Sequence, residues 1–124
     1  EDIYAAGDAV EYKGNLYGLW APSKEQGEIA GENMTGTIIK KYNPTLPEVR
    51  LKVTGISLFS GGSIDEDGAV IYRYNKDGIY RKFFVKNNII VGAILIGDMK
   101  TSMKAGHFIR SKEGPEVLHG LYQE

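Results

Sequence analysis

Between Ala69 and Ile96, three strand-like runs are separated by two short clusters of turn residues, and this pattern leaves the chain few ways to fold. Ala69 to Tyr74 and Ile79 to Lys86 flank Asn75-Lys76-Asp77-Gly78, a hairpin signal with glycine in its loop. Asn87-Asn88 then leads into Ile89 to Ile96, which is apolar on successive residues and so reads as a central strand covered on both faces. Connections this short force antiparallel neighbours, because a parallel return needs a crossover of a dozen or more residues. An antiparallel β-meander is therefore expected. Upstream, Val49 to Val53 alternates as a half-buried strand should, and Gly55 to Phe59 continues the alternation after a break.

The sequence after the strands turns helical. Asp98, Thr101 or Ser102 can cap a segment through Arg110, and a final helix starts near Pro115 with Val117, Leu118, Leu121 and Tyr122 on one side. Helices that follow a run of strands imply an α+β fold, with the C-terminal helices on one face of the meander.

The first third of the chain reads differently. Asp2 to Asp8, "DIYAAGD", has the form of a short apolar strand ending in a Gly-Asp corner, with no adjoining strand to pair with. Pro22 suits the first turn of a helix, where its missing N–H leaves nothing unpaired, and helix formers run to Met34 before Thr35-Gly36 ends them. Gly27, Ala30, Gly31 and Met34 recur at helical spacing, a stripe on which another backbone or a flat ligand could come close. Residues 37–46, with Pro44 inside and Pro47 just beyond, read as a linker. The expected organisation is a strand–helix segment over 1–36, this linker, a small α+β domain over 47–110 and a C-terminal helix or tail over 111–124.

With no cysteine among the 124 residues, disulfides, thiolate metal sites, iron–sulfur ligation and thiol nucleophiles are excluded. A formal charge of -1 gives no sign of a polyanion-binding surface. No apolar run is long enough to span a bilayer and no signal peptide is visible, so a soluble, cytoplasmic chain is expected, without membrane or nucleic-acid partners. His107 and His119 lie far apart without carboxylates at metal-ligand spacing and read as surface or packing residues. Asp65-Glu66-Asp67-Gly68 resembles the start of a calcium loop, but the later oxygen ligands are missing and a solvated turn is expected. Tyr72-Arg73-Tyr74 and Tyr80-Arg81-Lys82 interleave rings and cations as some RNA-binding sheets do; cross-strand packing is the plainer reading. No catalytic set and no metal ligands can be assembled.

"DIYAAGDAVEY" and then "YGLWAPSKEQGEIAGENMTG" resemble the last FAD-contacting segment of the pyridine nucleotide–disulfide oxidoreductase-like flavoproteins, of the NADH–rubredoxin oxidoreductase and NAD(P)H-nitrite reductase type. "LKVTGISLFSGG" and "VGAILIGDMK" resemble that group's small C-terminal domain. The resemblance implies that Asp8 accepts a hydrogen bond from the ribityl chain of FAD, with Gly7 permitting close approach. It places Leu19, Trp20 and Ala21 at a helix N-terminus facing the pyrimidine edge of the flavin, and leaves Glu11 a structural role. Where the family often has Pro directly after the Trp, Ala21 intervenes here, which bears on where the helix starts.

No G-x-G-x-x-G fingerprint occurs, although such enzymes need one for FAD and usually another for NAD(P)H. The chain is therefore expected to be the C-terminal part of an FAD-dependent NAD(P)H oxidoreductase, with the fingerprints upstream and the rest of that chain as its partner. Alone, it is expected neither to hold FAD tightly nor to turn over. Ile3 to Ala6 are expected either to pair with a second copy, which would make a homo-oligomer, or to fold onto the meander. The alternative is a non-enzymatic interaction or dimerisation module built on the sheet.

Overall fold

Three two-residue turns organise the larger part of the molecule. In the computed structural model, which describes residues 3–37, 39–44 and 47–121, the strands are β1 (Glu48–Val53), β2 (Ile56–Gly62), β3 (Val70–Lys76), β4 (Ile79–Lys86) and β5 (Ile89–Ile96). β1–β2, β3–β4 and β4–β5 are joined by Thr54-Gly55, Asp77-Gly78 and Asn87-Asn88, and all six turn residues have positive φ between 50° and 84°. Two successive left-handed residues give the turn whose twist matches that of the strands it joins. Thr54 is the costly member, since a β-branched residue in this region is a steric outlier.

The sheet order is β1-β2-β5-β4-β3, antiparallel throughout. The meander over β3, β4 and β5 matches the expectation from sequence, with β5 at the centre. Two details differ. Asn75 and Lys76 belong to β3, so the turn is shorter than the four-residue cluster, and the break before Gly55 is itself a hairpin turn that sets β2 beside β5.

Helix α1 (Trp20–Met34) lies in the N-terminal part, and helix α2 (Met99–Arg110) follows β5 and packs on β2 and β5. Asp98 caps α2, accepting from the Thr101 N–H at 2.9 Å. The final segment is a 3-10 helix (Pro115–Leu121) rather than an α-helix; Leu118 is buried, Val117 and Leu121 pack beside the core, and Tyr122 lies outside the described residues. Cross-strand register puts Phe59, Leu95, Ala93 and Phe83 on one face. There they join Val85, Ile90, Ala105, Ile109 and Leu118 in a single apolar core.

The connection from β2 to β3 leaves β2 on that strand's far side from β1 and runs to the opposite edge of the sheet. At β5 the ladder slips, with Phe84 opposite Gly92 and Val85 opposite Ile90, so Val91 is an extra residue whose carbonyl accepts from the Ser63 N–H at 2.8 Å. Gly92 lies so close beneath Ser63 that a Cβ would collide with the Ser63 carbonyl, and Gly62 needs φ +74° where a Cβ would strike the Val91 carbonyl. Asp65 to Gly68 lie in an exposed turn, as expected, and two of its carboxylates are tied to β4. Asp65 accepts from the Asp67 N–H at 3.0 Å and pairs with Lys86 at 3.2 Å, while Glu66 accepts from Lys82. The Asp67 N–H, then Lys86, hold the Asp65 carboxyl below its usual range, and Lys82 does the same to Glu66.

The chain divides into two compact units, Glu1–Pro47 and Glu48–Glu124. In the first, Ile3 to Ala6 belong to no sheet. Ala6 is extended at φ -150° and ψ 159°, but a single extended segment has no ladder to join, and the described β-type pairing in this unit is one bridge between Tyr12 and Asn15.

Candidate functional site

Gly7, Asp8, Leu19, Trp20 and Ala21, singled out as cofactor-binding candidates, fall at one end of α1. Gly7 to Ala9 form a single 3-10 turn, with Gly7 at φ +80°. Gln26, buried on α1, accepts from the Gly7 N–H at 2.8 Å, and Ser23 in the first turn of α1 donates to Asp8 at 3.3 Å. Ser23 also donates to the Leu19 carbonyl at 2.8 Å, which fixes its hydroxyl between the turn and the helix end. The two segments, separated by a dozen residues, are thus joined by two polar side chains that periodicity could not single out. Their visible signal is modest: Ser23 and Gln26 lie one turn apart, on the side of the helix that carries Pro22.

The helix starts at Trp20, two residues before Pro22, with Leu19 as its cap residue. Leu19 offers no side-chain acceptor, so the first-turn N–H groups are left without a cap, and a helix start in that state carries a partial positive charge. Trp20 is 78% exposed, with the Lys24 ammonium 6.0 Å from its ring. Asp8, Ala21 and Glu11 are exposed as well. The inserted Ala21 sits inside the first turn and does not delay the start of the helix. What the arrangement can do is bind: a carboxylate that accepts from hydroxyls stands beside a helix end that suits an electron-rich group. Within the small-residue stripe, Gly27 and Gly31 face open space among the described residues, since an added Cβ there would find no atom within 4 Å.

Behind the turn lies a cleft of about 170 Å³, lined in part by Tyr4, Val10, Gln26, Ile29 and Tyr42. The Tyr42 hydroxyl is buried there without a hydrogen bond of normal geometry, and burial raises its pKa more than the neighbouring Gln26 lowers it. The Tyr42 ring packs edge-on against Tyr12 at 5.0 Å, and the Tyr12 hydroxyl donates to the Tyr42 carbonyl at 2.8 Å. Asn33 grips the following segment by accepting from the Lys40 N–H at 2.7 Å and donating to its carbonyl at 2.9 Å. These contacts anchor Lys40 and Tyr42 within the nominal linker.

The second unit holds the one strongly buried ion pair among the described residues. Arg81 donates to Asp98 at 2.6 Å and to the Leu121 carbonyl, under the Tyr74 ring at 4.8 Å. Burial pushes the Asp98 carboxyl up, but hydrogen bonds from Thr101 and Arg81, and the Arg81 charge, outweigh it and leave the group below its ordinary range. Arg81 and Tyr74 are cross-strand partners, so this part of the aromatic–cation pattern is sheet packing.

The model of the rubredoxin NAD+ reductase C-terminal domain matches residues 47–113, more than half of the chain. The chain belongs to this family. The family domain coincides with most of the second unit and takes in the whole sheet and α2. NADH-rubredoxin oxidoreductase of Clostridium acetobutylicum is 35% identical over 122 residues, covering 98% of this chain and 32% of that protein. The crystal structure of NADH:rubredoxin oxidoreductase from the same organism superposes with a TM-score of 0.67 at 33% identity, over 92% of this chain and 30% of that one. Nitrite reductase [NAD(P)H] of Bacillus subtilis (strain 168) is 39% identical over 99 residues, covering 77% of this chain and 12% of that protein. The relatives are NAD(P)H-dependent oxidoreductases, and the chain spans a third of their length or less. No helix among the described residues is long and apolar enough to cross a membrane.

Proposed function

We propose that this chain is the C-terminal part of an FAD-dependent NAD(P)H oxidoreductase that passes electrons onward to an acceptor. On this reading residues 1–36 complete the FAD-binding domain, residues 47–110 form the small C-terminal domain, and the rest of the reductase is their partner. The observation that carries it is the Gly7-Asp8 turn bonded to the uncapped first turn of α1 through Ser23 and Gln26, within a chain of this family.

FAD, when bound, supplies the capacity to take hydride from NAD(P)H. The residues of this chain bind and orient. Asp8 accepts a hydrogen bond from a ligand hydroxyl, and Ser23 keeps one of its oxygens directed. Gly7, in the left-handed region, brings backbone close to the ligand without a side chain in the way. The N–H groups of Trp20 and Ala21, at the cap residue Leu19, face an electron-rich ligand edge and favour negative charge on it. A positive helix end beside the reduced cofactor lowers the free energy of its formation.

The test joins this chain to the remainder of its reductase. Asp8→Ala is expected to weaken flavin affinity, read by titrating FAD back into the flavin-free reductase and following the visible absorbance, by about tenfold, the effect of losing one charge-assisted hydrogen bond of about 1.5 kcal/mol. The 124-residue chain alone is expected to purify colourless and to leave NADH unoxidised. A yellow, NADH-oxidising preparation of the isolated chain would overturn the proposal, as would undiminished flavin affinity in Asp8→Ala.

A further inference from the structure

The outer face of α2 and the adjoining edge strand carry a charge pattern that neither the fold nor the flavin reading uses. Between Asp98 and Glu113 the chain has Lys100, Lys104, His107, Arg110 and Lys112 and not one carboxylate. The buried side of α2 is Thr101, Ser102, Ala105, Gly106 and Ile109, so helical spacing turns Lys100, Lys104, His107 and Arg110 outward together. Arg50 and Lys52 of β1 project from the same side of the sheet, and Arg50 reaches the helix by donating to the Ser102 carbonyl at 2.9 Å. Glu48 is the carboxylate among them; it accepts from Arg110 and from Arg50 at 3.3 Å. Lys52, Lys100 and Lys104 have no carboxylate partner among the described residues, so the face is net positive on a chain of formal charge -1.

A second feature lies within it. Met99 and Met103, one turn apart on α2, are 51% and 71% exposed. With Arg50, Lys52, Ser57 and Ser102 they line a groove of about 200 Å³ between the helix and β1. Methionine is flexible and polarisable, and it recurs on surfaces that adapt to protein partners. Nothing in the groove suits a nucleic acid, which calls for aromatic platforms, and it presents no aromatic wedge for a bilayer.

We propose that this face docks an acidic protein surface, with carboxylates opposite Lys52, Lys100 and Lys104 and an apolar contact seated on Met99 and Met103. In a reductase whose electrons leave to another protein, that partner is the acceptor. The inference rests on the functional reading for the choice of probe and not for the surface itself. Charge complementarity of this kind speeds encounter and orients the partner, and salt screens it.

The probe is an acidic rubredoxin, titrated into the ¹⁵N-labelled 124-residue chain at low ionic strength. Shifts are expected along Met99–Arg110 and Arg50–Lys52, weakening at least tenfold on going to physiological salt. The double variant Lys100→Glu/Lys104→Glu, at two exposed positions, is expected to keep the wild-type far-UV circular dichroism and to weaken binding at least tenfold, and Met99→Ala/Met103→Ala several-fold. Lys76→Glu, a charge reversal at the far end of β3, is expected to leave binding unchanged. The proposal is overturned by absence of binding at low salt, by shifts mapping elsewhere, by an equal loss in Lys76→Glu, or by tighter binding of single-stranded DNA or anionic vesicles to the same residues. Docking on this face without electron transfer by the joined reductase would count against the functional reading alone. Electron transfer with undiminished binding in the charge-reversed variant would count against this proposal alone.

Discussion

The two units solve the problem of burial in opposite ways. The second closes a core of its own: Phe59, Phe83, Ile90 and Leu95 are fully buried between a five-stranded sheet and α2. In the first, the buried residues of α1 are Pro22 and Gln26, while Trp20, Met34 and Ile3, the last 95% exposed, lie open. A helix whose apolar residues are uncovered and whose buried contact is a glutamine draws little from the hydrophobic effect within its own unit. It is held by polar links, Gln26 to Gly7, Ser23 to Asp8 and Asn33 to Lys40. Such links are worth about 1 kcal/mol each, whereas one buried phenylalanine contributes about 3. The difference teaches that the second unit encloses a core of its own, whereas the first is tied together mainly by polar links.

Truncation should break this contrast most forcefully. Phe83→Ala is expected to destabilise the second unit by about 4 kcal/mol, read by urea denaturation with tyrosine fluorescence or circular dichroism. Trp20→Ala is expected to change the same midpoint by less than about 0.5 kcal/mol, as for exposed substitutions elsewhere. Equal losses in the two variants would abolish the distinction.

A buried charge pair sharpens the second unit further. Asp98→Asn keeps a capping side chain but strands Arg81, and should cost about 3 kcal/mol. Because the folded-state pKa of Asp98 is depressed, its stabilisation is present above the unfolded carboxyl value and is lost as pH falls through the lower, folded one. The wild-type chain should therefore lose more stability on acidification than Asp98→Asn, measured as urea midpoints from pH 7 downward; parallel curves would show that Asp98 is not the group responsible. Asp65 and Glu66 shift the same way but are exposed, so their share of the acid dependence is small.

The crossing between β2 and β3 offers a smaller effect. Gly92→Ala forces the Ser63 backbone away from β5 and is expected to cost about 2 kcal/mol, with faster hydrogen exchange confined to residues 61–69 and 91–93. Smallest of all, Glu66→Gln should leave the urea midpoint almost where it is, since that pair has one exposed member. A larger loss would mean that the acidic loop is an essential clamp on the sheet.

Much of this was legible residue by residue. Asp77-Gly78 and Asn87-Asn88 announce turns, alternating and continuous apolar runs announce β1 and β5, and the cap candidates Asp98, Thr101 and Ser102 announce the start of α2. Pro22 and Thr35-Gly36 bracket α1 within two residues. Each of these is a local preference, written in side chains a few positions apart. The place of β2 beside β5 is not of that kind, and neither is the slip at Val91. Nothing local marks the bonds from Ser23 and Gln26 to the Gly7-Asp8 turn, or the grip of Arg81 on Asp98 and the Leu121 carbonyl. Turn chemistry and periodicity are properties of neighbouring residues and act before the chain is folded, so the sequence by itself determined which segments are strands, which are helices and where they reverse. Which strands become neighbours, and which polar groups find partners when water is excluded, depends on surfaces brought together from distant positions, and only the tertiary structure decided it.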